Sequence, residues 1–153
     1  MLNTELLCEL EINIGETYMV GPRKTGMRII ANIEGGKVTG PSLKGIVKPG
    51  GADWAIIQPD GCINIDVRTA IETDDGSLIY VYYQGKWVNP PEIAEQMANP
   101  ETAHEIDPNQ YYFRTTPYFE TSSEKYDYLN KIVSVGVGRK TKNGISYKIY
   151  RVL

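Results

Sequence analysis

The chain has 153 residues, 41% of them hydrophobic and 23% charged, with a formal net charge of −3. That length suits one domain with an ordinary core of its own. The acidic balance argues against a phosphate-backbone partner, and no apolar run approaches the roughly 20 residues of a spanning helix. The two cysteines, Cys8 and Cys62, lie far apart without metal spacing, and they read as small apolar side chains in a reducing compartment. The N-terminal MLNTELLCEL has no basic segment, and Glu5 and Glu9 interrupt its apolar run, so it does not read as a secretion signal. A cytoplasmic protein is expected, with neither nucleic acid nor membrane as a partner.

Residues 5–14 alternate strictly, with Leu6, Cys8, Leu10, Ile12 and Ile14 on one parity, and predict a half-buried strand. Residues 26–33 predict a second strand, and Glu34-Gly35-Gly36 a turn after it. Residues 37–47 predict a third, interrupted at Gly40-Pro41, and Asp53 to Gln58 a fourth. Pro59-Asp60-Gly61 is a tight-turn sequence. Ile63 to Glu72 is the clearest strand, followed by a Thr73-Asp74-Asp75-Gly76 hairpin turn and a strand from Leu78 to Tyr83. The texture then changes. Residues 88–110 form a polar insertion, with about two helical turns from Glu92 to Asn99 opened by Pro91. Tyr111 to Glu120 returns to strand. Thr121 to Glu124 fits a capping box before a short helix that turns Tyr126 and Leu129 inward. Ile132 to Arg139 and Ile145 to Val152 are strands, joined by an Asn143-Gly144 hairpin signal.

Strands joined by short connections, with no long helices between them, exclude a parallel α/β sheet. The expected fold is all-β: a single domain over residues 1–153, an antiparallel β-barrel of about eight to nine strands with one or two short helices. A barrel is preferred to a sandwich because closure removes exposed edges and uses strand glycines at its corners.

Several segments together resemble one family. They are Gly50-Gly51-Ala52-Asp53-Trp54, Pro59-Asp60-Gly61, Asp66-Val67-Arg68, Thr73-Asp74-Asp75-Gly76, Phe119-Glu120-Thr121 and Val135-Gly136-Val137-Gly138. Gly26-Met27-Arg28 and Gly40-Pro41 fit as well. The pattern is similar to domain-of-unknown-function family 3237, also called uncharacterised protein family 0311, over roughly residues 5–152. The resemblance implies a single antiparallel barrel that forms a homo-oligomer. It brings no activity and no functional residues.

The residues themselves offer candidates. In the strand from Ile63 to Glu72, Asn64, Asp66, Arg68, Ala70 and Glu72 share a face. That face either meets water, as is ordinary for an antiparallel sheet, or lines the barrel lumen. In the second case Arg68 holds a ligand anion and Asp66 serves as a base. Asp53 is a second candidate base, with Trp54 as a stacking surface; the plainer alternative is a turn aspartate beside a core tryptophan. Tyr82, Arg114, Tyr118 and Glu120 supply hydroxyls and charges for a small-molecule pocket, or simply cross-strand pairs. One histidine, His104, and two scattered cysteines make no zinc set, and no cofactor motif is present.

Two functions follow as expectations. One is a barrel that binds a small organic molecule, an organic acid being the candidate class, in its lumen, with acid–base catalysis there. The other is a non-catalytic homo-oligomeric interaction module with a packed core. The sequence leaves open whether the protein is an enzyme.

Overall fold

The computed structural model describes residues 1–153. One antiparallel sheet closes on itself. Its strands are β1 (Thr4–Arg23), β2 (Gly26–Thr39), β3 (Gly45–Val47), β4 (Ala52–Asp53), β5 (Ile56–Ile57), β6 (Ile63–Thr73), β7 (Leu78–Val88), β8 (Tyr112–Glu120), β9 (Ser134–Lys140) and β10 (Gly144–Val152). The ring runs β1-β10-β9-β8-β7-β6, and β3, β4 and β5 take turns filling the one position between β6 and β2. Pairing of β2 with β1 closes it. The ten segments therefore make eight positions around the barrel, and eight strands leave an interior just wide enough for side chains. The ring is the all-β barrel the alternation predicts.

Its closing seam departs from the sequence expectation. Glu34-Gly35-Gly36 is not a turn; β2 runs straight through it while pairing with β1. The reason is steric. Gly36 has φ +151°, and a Cβ there would run into the Glu11 carbonyl oxygen, so glycine is what lets the two strands cross closely. The β1–β2 hairpin also extends to Arg23 and Gly26, beyond the predicted strand ends. A bulge between Leu6 and Cys8 resets the parity of β1: Leu7 is buried and Leu6 is turned out.

Inside, each strand contributes its apolar parity. Leu10, Val67, Ile71, Ile79, Val81, Tyr83, Phe113 and Ile149 are fully or almost fully buried in one continuous cluster. Burying that parity is favourable by roughly 25 cal/mol per Å², and no other layer covers the outer wall. One end is plugged by Leu43 and Phe119 and by Tyr126 and Leu129 of a 3-10 helix (Glu124–Lys131), the inward pair expected. Its capping box does not form. The Thr121 hydroxyl instead donates to the Leu78 carbonyl oxygen and accepts from the Ser123 amide. The insertion holds helix α1 (Pro91–Ala98), opened by Pro91, and two short 3-10 turns, Ala103–Glu105 and Pro108–Gln110. Ile93, Ile106 and Tyr111 pack it onto the core. No helix is long and apolar enough to cross a membrane.

Candidate functional site

The end opposite the plug is open. A cavity of about 660 Å³ sits there, within the range of small-molecule sites. The interior is thus not filled throughout, unlike the packed core of the interaction-module expectation. The cavity floor is aromatic and aliphatic. Trp87 and Phe113 stack with centroids 4.5 Å apart, and Phe113 meets Tyr147 edge-on at 5.5 Å. Ile29, Ile63 and Ile65 complete the apolar wall. The rim carries Asn13, Glu34, Lys140 and Lys142.

Asp53 is the one carboxylate set into that apolar wall. It pairs with Ala31 on one side and Val67 on the other, both of inward parity, so its side chain points into the barrel. Gly51 makes this placement reachable. A Cβ there would collide with the Arg68 carbonyl oxygen, so only glycine lets the chain enter β4 this close to β6. Asp53 Oδ1 accepts a 3.0 Å hydrogen bond from the Asp66 amide. Burial pushes the carboxyl up to about 6; the Asp66 amide holds it down and the Asp66 charge adds to the rise. Such a group is present in both protonation states near neutral pH, which suits a proton carrier.

Two phenols lie beside it. Tyr83 and Tyr147 meet edge-on at 5.1 Å, and both are buried. Burial, chiefly, together with the Asp53 charge keeps both hydroxyls protonated. They are therefore hydrogen-bond donors at every ordinary pH. Lys140 extends to the rim, where its ammonium donates to the Gly144 carbonyl oxygen at 3.2 Å; partial burial lowers its pKa. No three His, Cys, Asp or Glu side chains group closely enough to hold a metal ion.

The other candidates from the sequence stand on the outer wall. Asp66 and Arg68 share the outward parity of β6, and the lumen placement considered for them does not occur. Desolvating both charges costs more than leaving them in water, so the isoleucine and valine parity turns in. The Arg68 guanidinium sits 5.0 Å from the Tyr82 ring centre, and Tyr82 stacks on Tyr118 at 6.3 Å, a cross-strand ladder in register. Arg114, Tyr118 and Glu120 alternate outward along β8, and Pro117 leaves that alternation intact. Trp54 also faces out, its carbonyl oxygen held by Arg28 at 2.6 Å. Sequence reading passed over Tyr83, Trp87, Phe113, Lys140 and Tyr147. Tyr83 carried a usable signal, because it shares parity with Ile79 and Val81 where Tyr82 does not.

The sequence pattern of one family, described as a protein of unknown function (DUF3237), matches residues 2–152. The chain belongs to this family. An uncharacterised UPF0311 protein of Rhodopseudomonas palustris is 34% identical over 99% of this chain and 97% of its own length. The crystal structure of that protein overlays with a TM-score of 0.91, covering 100% of this chain and 99% of that one. A structure from Acinetobacter baumannii, described as a beta-barrel like protein, is 34% identical with a TM-score of 0.86, covering 100% and 97% of the two chains. A further relative, a hydroalkoxylation enzyme of Penicillium herquei, is 28% identical over 88% of this chain and 72% of its own. The fold of this DUF3237 chain is thus seen in proteins of two bacteria.

Proposed function

We propose that the barrel mouth binds a small, largely apolar organic molecule and moves a proton on it, with Asp53 as the acid–base group. The observation that carries this is a single carboxyl, raised to about 6, set in an aromatic and aliphatic cavity. Ionised Asp53 takes a proton from an O–H or an activated C–H of the bound molecule. Protonated, it returns that proton to carbon or oxygen. The Lys140 ammonium is placed to steady the oxyanion that forms in between, and the Tyr147 face holds the ring or chain of the substrate.

The fungal relative's name supports the same chemistry. Hydroalkoxylation adds an alcohol O–H across a carbon–carbon double bond, so one proton leaves oxygen and one arrives at carbon. That balance closes with a single proton carrier and needs no redox partner.

Deuterium exchange into 2-tetralone, a planar ketone with an acidic C–H, tests the proposal. NMR in heavy water should show exchange accelerated by the wild type. Asp53→Asn should lower that acceleration by about 10²–10⁴-fold, the usual worth of a positioned base. Equal exchange with both proteins would remove Asp53 from the chemistry.

A further inference from the structure

A second cavity, about 770 Å³, lies on the outer wall, across the sheet from the mouth, with Ile65 lining both. Its floor is one cross-strand row: Arg114 on β8 faces Lys86 on β7, Lys86 faces Asn64 on β6, Asn64 faces Ile56 on β5, and Ile56 faces Arg28 on β2. Three cations therefore line up along five neighbouring strands, each step about 4.8 Å. Lys86 and Arg114 are directly opposed, an arrangement that destabilises a sheet unless an anion offsets it. None of the three is in an ion pair. Each rests on a neutral acceptor: Lys86 on the Asn64 side chain, Arg114 on the Phe113 carbonyl oxygen at 2.9 Å and Arg28 on that of Trp54.

One carboxylate borders the row. Asp66 lies one step along β6, and its Oδ1 is out of solvent with no hydrogen-bond partner. A buried acceptor without a donor is costly to keep. The groove thus lacks an anion opposite its cations and a hydrogen-bond donor opposite Asp66. It also offers two flat faces, Trp54 and Tyr112.

We propose that this outer groove is a second ligand site, for a small organic acid that carries a hydroxyl or ammonium group beside its carboxylate. The carboxylate bridges Lys86 and Arg114. The donor reaches the Asp66 carboxylate where it borders the groove. An acidic protein keeps three unpaired cations in a row here because the ligand supplies their counter-charge.

Calorimetric titration with malate, succinate and inorganic phosphate tests it. Malate is expected to bind saturably, and succinate, which lacks the hydroxyl, about tenfold more weakly, since a hydrogen bond to a charged group is worth that much. The double variant Lys86→Ala, Arg114→Ala should weaken malate at least about tenfold with an unchanged circular-dichroism spectrum. Asp66→Asn should erase the preference for malate over succinate. Lys142→Ala, at the rim of the mouth, should leave malate binding intact. No saturable heat from malate up to roughly 10 mM, malate binding that survives the double variant, or phosphate bound in place of malate would each overturn the assignment. Loss of malate binding in Lys142→Ala would do the same, by moving the anion into the mouth.

Discussion

Asp53→Asn is expected to slow proton transfer in the barrel mouth by about 10²–10⁴-fold and, at neutral pH, to make the protein more stable. An unfolded aspartate titrates near ~3.9. In the fold burial raises Asp53 to about 6, so the folded state holds this proton more tightly than the unfolded chain does. Ionising it therefore costs stability. The cost is absent below about pH 4, grows between about 4 and 6, and is complete above about 6. Two pH units correspond to roughly 3 kcal/mol, and the water that still reaches the carboxyl reduces this to on the order of 2 kcal/mol. Asparagine keeps the acceptor for the Asp66 amide and carries no charge. Thermal unfolding at pH 7.5 should then rise by about 4–8 °C in the variant, with little difference at pH 4. A variant that is less stable than wild type at pH 7.5 would mean the charge has a compensating partner in the barrel.

Phe113→Ala is expected to have the largest effect on stability. Phe113 is completely buried between two aromatic partners, stacked on Trp87 and edge-on to Tyr147, and lies against Gly138, where a Cβ would strike the ring. Removing such a ring costs about 3–5 kcal/mol, from transfer of the lost area and the cavity left behind. A domain holds only about 5–15 kcal/mol in total, so urea unfolding should shift far toward the folded–unfolded balance point. Tyr112→Ala, one residue away, should cost well under about 1 kcal/mol, because Tyr112 is 54% exposed and packs mainly under the Arg114 guanidinium. Equal losses from the two variants would contradict the inward and outward assignment of β8.

Parity explains why the fold was more legible than the site. Alternation along Ile63 to Thr73 and along Tyr112 to Glu120 is two-valued, so the sequence separates the two faces cleanly and predicts strands. It does not say which face turns inward. Arg68, Tyr82 and Tyr118 are separate candidates in the sequence, and the fold brings them together on the wall that meets water. Hydrophobicity decides the matter once neighbours are considered: Val67 and Ile71 face Tyr83 and Ile79 across β6 and β7. Of the two candidate bases that the sequence offers, Asp53 is the one whose side chain faces the mouth. Its partners were not legible there. Lys140, Tyr147 and Phe113 come from strands far along the chain and meet only when the ring closes. The Gly35-Gly36 pair was misread for a related reason: its steric need comes from the Glu11 carbonyl oxygen, on another strand. The Asn143-Gly144 hairpin signal was displaced by one residue, since Thr141 and Gly144 are the bonded pair and Lys142-Asn143 make the turn.

The most direct test of the acid–base site is an NMR titration of the Asp53 carboxyl carbon, assigned by its loss in Asp53→Asn. The buried site predicts a midpoint near 6. A midpoint at or below the ordinary ~3.9 would show a carboxylate that stays ionised through the neutral range, and the mouth would have no proton carrier.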